Sequence, residues 1–186
     1  MMPNLRPLQP KPTRARRSRR TSPTNRANRI RIEVQIAARY AGAVRSAVLK
    51  AAAQAALDAA RVRREVSLTI VITGDAALRK LNRDFLGIDA PTDVLSFAAE
   101  GVPVETGPVT TGYLGDVVIS LARARAQAKI GGHALIDELR LLVIHGALHL
   151  LGCDHDTIEA KRRMWALQAK ALKKAGAWID APASDG

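Results

Sequence analysis

The sequence of 186 residues holds a single cysteine, Cys153, and only two Trp, two Tyr and two Phe. One thiol excludes an internal disulfide and fits a reducing, cytoplasmic setting. With so few rings, the core must be aliphatic, built mostly from Ala, Leu, Val and Ile. No apolar run approaches the roughly 20 residues that a membrane-spanning helix needs, so no membrane partner is expected. Acidic side chains are missing altogether from residues 1–31. That segment carries ten of the 29 Lys and Arg and none of the 17 acids, which leaves 19 cations against 17 acids, or +2, for residues 32–186. The net charge of +12 therefore belongs to the beginning of the chain.

Residues 1–28 interleave those cations with Pro, Ser, Thr and Asn and offer almost nothing apolar to bury, so they read as a disordered basic arm. Such an arm suits a phosphate backbone, where counterion release gives salt-sensitive affinity without sequence preference; the alternative is a solvated leader. A secretory signal is excluded because no apolar segment follows the charges. The Arg-rich, acid-free composition also suits a transit peptide, although the amphipathic apolar face of one is missing.

Residues 29–176 read as one folded domain, followed by a flexible tail at 177–186. Alternating Ile30, Ile32, Val34 and Ile36 predict a strand with one buried face. An alanine-rich amphipathic helix follows at about 41–60. Residues 66–73 predict a second strand, after which Asp75 is a candidate cap for a helix reaching about Phe85. Residues 94–97 form a third strand, residues 99–112 a loop rich in Gly, Pro and Thr, and residues 115–120 a fourth strand. Ser120 opens a helix that runs through Lys129 and breaks at Gly131-Gly132. Further helices are expected at 134–151 and 157–175, the second capped by Asp156 and ended by Gly176. The fold class is α+β: a single mixed four-stranded sheet packed with about five helices.

Three of the four histidines fall within eleven residues, 145–155. His145 and His149 are four apart on the apolar helix and share a face. Gly152 can take the left-handed conformation that ends a helix and return the chain so that His155 meets them. Three neutral imidazoles with an open fourth position make a catalytic rather than a structural zinc site, one ion per chain. The rival readings are three core histidines, or a structural zinc with Cys153 as fourth ligand. The spacing H-x-x-x-H-x-x-G-x-x-H is shared with the metzincin peptidases, which need Glu directly after the first His as general base. Gly146 stands there, so a metallopeptidase loses its proton acceptor. Glu138, two helical turns before His145, shares its stripe and can serve as an acceptor for a ligand imidazole or lie in a buried polar contact. His133 reads as a helix-start or surface histidine. Asp154 and Asp156 flank the third histidine, and either can orient an imidazole or cap the last helix.

The run His145-Gly146-x-Leu148-His149-Leu150-x-Gly152-x-Asp154-His155 resembles the signature of the YbeY family of bacterial endoribonucleases. Asp89-Ala90-Pro91-Thr92-Asp93-Val94-Leu95-Ser96-Phe97 and Leu114-Gly115-Asp116-Val117-Val118-Ile119-Ser120 are similar to two further segments of that family, as are Leu81-Asn82, Gly132-His133 and Glu138. The resemblance spans roughly residues 30–175. It implies a zinc-dependent, single-strand-specific endoribonuclease of ribosomal RNA maturation and ribosome quality control, with ribosomal RNA and the small ribosomal subunit as partners and the basic arm as a further RNA contact. It also implies that the 89–93 loop borders the cleft. A non-catalytic assembly factor with structural zinc is the other alternative. One departure stands out: where the family places a phosphate-binding arginine after an aromatic residue, Phe85 is followed by Leu86. Arg83, one helical turn back, is the candidate substitute for that phosphate contact, with Arg79 a turn further.

Overall fold

In the computed structural model, the alternation over residues 30–36 becomes β1 (Ile30–Ile36), with its isoleucines and Val34 half-buried and Arg31, Glu33 and Gln35 exposed. The described residues are 30–63, 65–99 and 112–179. The expected basic arm at 1–28, nearly all of the 99–112 loop and the end of the expected tail lie outside them. Ala177 and Ile179, at the start of that tail, pack against the core.

β2 (Val66–Thr73) is central, with Val66, Leu68, Ile70 and Ile72 buried. It pairs parallel with β1 and with β4 (Gly112–Ser120), while β3 (Val94–Ala98) closes the other edge antiparallel to β4. The sheet order is β1-β2-β4-β3, one mixed sheet as expected. The register slips at Ser67/Leu68, so β4 extends back past residue 115 to Gly112. Gly115 follows that step at φ +132, and a Cβ there would stand 2.0 Å from the Phe97 carbonyl oxygen. Only glycine lets the two strands close at this point.

Five α-helices complete the α+β layers. α1 (Ser46–Ala59) and α4 (Leu135–Leu150) lie together on the sheet, and α5 (Ile158–Ala175) packs across both. Small residues permit the close approach: Ala52, Ala53 and Ala56 of α1 are fully buried beside Leu49 and Leu57. α2 (Asp75–Leu86) and α3 (Leu121–Gly131) flank β3 and β4, with α3 against α4.

Three expected boundaries change. α1 begins at Ser46 rather than near residue 41, because Ala38–Tyr40 makes a 3-10 turn and Gly42, at φ +80, breaks any continuation. Asp75 is the first residue of α2 and not its cap. Its carboxylate accepts from the buried Ser120 hydroxyl, and Gly74 holds the cap position with no side-chain bond. Thr157, not Asp156, caps α5, accepting from Ala160 N–H at 3.1 Å. Ser120 caps α3 as expected, accepting from Arg123 N–H.

Candidate metal centre

α4 is apolar on nearly every side. Within residues 141–150, only His145 and His149 are not buried. They project from the same face, with Nε2 of each 3.1 Å from the other. After Leu150 the helix closes in a tight turn: Gly152 takes φ +78, and Cys153 N–H donates back to Leu148 O at 3.0 Å. That left-handed residue reverses the chain as the sequence predicts. His155 returns to the pair, its ring centroid 5.8 Å from that of His145 and 5.2 Å from that of His149. One ligand nitrogen from each of the three lies within 4.8 Å of the others.

The second nitrogens decide what this cluster can do. His145 Nδ1 donates to Gln168 Oε1 at 3.1 Å, and the Cys153 carbonyl accepts from His149. Each bond fixes a proton on the outer nitrogen and leaves the Nε2 lone pair facing inward. Burial lowers the pKa of His145, and burial together with its neighbouring imidazoles lowers that of His149 to about 4. Both rings are therefore neutral at physiological pH, the form that binds metal. Two nitrogens held tetrahedrally at about 2.0–2.1 Å from zinc would stand about 3.4 Å apart, close to the 3.1 Å found here. The residues fit a three-histidine zinc site.

Residues 32–176 match the sequence profile of the endoribonuclease YbeY family. The chain belongs to that family. It is 45% identical over 135 residues to the endoribonuclease YbeY of Chloroflexus aggregans, covering 72% of this chain and 88% of that one. It is 40% identical over 148 residues to that of Roseiflexus sp., covering 78% and 92%. A Thermotoga maritima protein known from its solution structure is similar in fold, with TM-score 0.54, 24% identity, and 84% of this chain and 96% of that chain covered.

Of the two sequence readings of Glu138 in this YbeY-family chain, the buried polar contact holds and the acceptor role for a ligand imidazole does not. The acceptor behind His145 is Gln168, 2% exposed on α5, and not Glu138. Its trace in the sequence is a lone polar residue on the apolar stripe Met164, Ala171 and Leu172. Glu138 is 4% exposed and bonded to His133, whose Nε2 lies 2.5 Å from its Oε2. Burial pushes the Glu138 carboxyl up, against that hydrogen bond. His133 is thus not a surface residue, because the turn between α3 and α4 folds it inward. Asp154 does not cap α5, where Thr157 holds that position; its carboxylate accepts from the neighbouring His155 N–H at 2.7 Å. Cys153 is half-buried and lies outside the cluster of ligand atoms, and burial pushes its thiol up.

Gly146 has a second reason for being glycine. A Cβ there would stand 2.5 Å from Val117 Cγ1 and 3.0 Å from Ser96 Oγ. The position faces the sheet, so a base at this point of α4 would have neither room nor access to the metal. His145 borders two depressions. One, about 600 Å³, is lined also by Asp93, Gln127, His133, Glu138, His155 and Lys161. The other, about 390 Å³, is lined also by Leu86, Ser96, His149 and Asp154. The 89–93 loop does reach the cleft through Asp93, whose carboxylate accepts from Val94 N–H and Gln127 Nε2, both at 2.8 Å. Leu86, where the family has arginine, is 60% exposed at the second depression, beside the exposed Phe85 and Ile88. Arg83 is exposed, 3.3 Å from Asp84 and 3.9 Å from Asp89, and Arg79 pairs with Asp89 through two bonds of 2.7 and 2.8 Å.

Proposed function

We propose that this chain is a zinc-dependent, single-strand-specific endoribonuclease acting in ribosomal RNA maturation and ribosome quality control in the cytoplasm, with ribosomal RNA and the small ribosomal subunit as its partners. The observation that carries the reading is the convergence of His145, His149 and His155 with Nε2 of the first two freed by Gln168 and the Cys153 carbonyl. Family membership supplies the RNA substrate, since the relatives are named as endoribonucleases.

In this mechanism His145, His149 and His155 hold the metal. When bound, zinc offers Lewis acidity to a phosphoryl oxygen and lowers the pKa of a water toward about 7. The chain does the rest. Lys161 brings a cation to the larger depression, favouring a phosphate there. Asp93, held by Gln127 and by its own loop, sets the opposite wall. Leu86 supplies apolar surface in place of charge, so phosphate binding on that side falls to Arg83. Unstacked bases of a single strand suit so open and partly apolar a site better than a duplex does. Gly146, pressed on the sheet, weighs against peptide hydrolysis.

The test is cleavage of a structured ribosomal RNA by the purified protein, with and without a chelator, beside His145→Ala, His149→Ala and Arg83→Ala. The expected outcome is cleavage that the chelator and either histidine variant abolish, with loss of bound metal in both variants and weaker RNA affinity in Arg83→Ala. Intact RNA in every sample, with binding retained, would favour a non-catalytic assembly factor. Undiminished affinity and cleavage in Arg83→Ala would remove that residue from the site.

A further inference from the structure

The larger depression has a polar wall that the histidine cluster does not use. α3 ends with Gly132 at φ +68, and His133 N–H donates to Ala128 O at 3.1 Å, which fixes the turn into α4. This places the His133 side chain, 14% exposed, against the nearly buried Glu138 one turn into α4. Nε2 of the imidazole is held at 2.5 Å by Glu138 Oε2. Nδ1 has no protein partner among the described residues and lies over Gly131. A Cβ on Gly131 would stand 2.6 Å from that nitrogen and 2.5 Å from Cε1. Gly131 ends α3 without a positive φ, so the backbone does not require glycine there. The missing side chain leaves space for the imidazole and keeps its outer nitrogen clear. A buried carboxylate behind an imidazole that lines a cleft shared with His145 and His155, with the far nitrogen not claimed by a described residue, is the arrangement of a general base and its orienting group.

We propose that His133 is the general base for RNA cleavage in this chain and Glu138 the positioning residue that holds its ring. The proposal rests on the endoribonuclease reading. His133 Nδ1 takes the proton of the attacking hydroxyl as its oxygen bonds to phosphorus. The bond from phosphorus to the leaving ribose oxygen, in line with the attack, breaks; that oxygen keeps the electron pair and takes a proton from water in the open cleft, and the imidazolium gives its proton back to solvent. No redox partner is needed.

Other titratable groups face the same cleft: Asp93 from the loop before β3, His145 from α4, His155 from the turn and Lys161 from α5. The assignment therefore comes from differences between variants. Glu138→Gln removes the carboxylate that holds the His133 ring and should make it a poorer proton acceptor. The acid limb of the kcat profile, where rate rises as the base loses its proton, should move to lower pH while the plateau falls. His133→Ala should lose that limb and about 10²–10⁴ in rate, with metal content unchanged. Gly131→Ala keeps both side chains and displaces the ring, and should slow cleavage in a folded protein even if His133→Ala does not fold.

The experiment measures pH–rate profiles of these three variants in the full chain loaded with zinc. Bound metal and thermal unfolding are measured alongside. Loss or displacement of the limb, with bound metal and thermal unfolding unchanged, supports the proposal. Wild-type rates in the variants, or slower rates with the limb unmoved, would overturn it and leave the pair a structural contact. RNA left intact by the zinc-loaded wild type would overturn the endoribonuclease reading, and this proposal with it.

Discussion

A buried glutamine decides which nitrogen His145 presents. Gln168 accepts from Nδ1, so Nε2 keeps its lone pair and points at His149. In Gln168→Leu the ring loses that constraint and Nδ1–H is left unpaired, while the new side chain matches its buried neighbours Met164, Ala171 and Leu172 in character. Zinc affinity, measured by competition with a chelator, should fall about 10–100-fold, with little change in the unfolding midpoint. Unchanged affinity would mean that the metal alone orients the ring. The three histidines themselves were legible in the sequence, because spacing on one helix plus a glycine turn is a local signal. Gln168 was not, since it comes from another helix 23 residues on and only the fold brings it to His145. His133 does stand at a helix start, just before α4, but it is not on the surface. The reversal between α3 and α4 turns it onto Glu138, five residues on, which the sequence pattern does not show.

At the scale of elements, α4 is placed by the absence of one side chain. Gly146 lies against β4, where a Cβ would meet Val117 Cγ1 at 2.5 Å, and Ser96 Oγ of β3 donates to the Gly146 carbonyl at 3.2 Å. In the sequence this glycine registers only as a missing base. Its packing role needed the sheet, whose strand order no local pattern reveals. The strands were legible through their alternation and α4 through its apolar run. The cap of α3 was legible as well, but the caps of α2 and α5 and the start of α1 were not, because Asp75, Asp156 and residues 41–45 depend on which neighbour claims each polar group or turn. Gly146→Ala should destabilise the fold by about 1–3 kcal/mol through overpacking and weaken metal binding as α4 lifts from the sheet. Val117→Ala in the same chain removes the opposing methyl groups. The double variant should then lose less stability than the two single changes added together. Strict additivity in urea unfolding would show that the two side chains do not compete for the same space.

Across the whole molecule, charge and chemistry are separated along the chain. The metal cluster and both depressions belong to residues that carry almost no net charge, whereas eight of the ten cations of residues 1–31 fall in residues 1–28. A folded part near neutrality, with Leu86 where a phosphate-binding cation is expected, gains little affinity from electrostatics beyond Arg83 and Lys161. We propose that the arm at residues 1–28, basic by sequence, supplies what is missing by binding RNA phosphates without choosing a sequence. Each phosphate it neutralises steepens the dependence of log K on log salt by about 0.7 on a single strand. Replacing the eight cations by serine in the full chain should therefore flatten that slope by up to about 6. Affinity should drop most at low salt, while kcat at saturating RNA stays unchanged. Equal slopes for the two proteins would make the arm a solvated leader, and would shift the search for phosphate contacts to the exposed basic residues of α5, Arg162, Arg163, Lys170, Lys173 and Lys174.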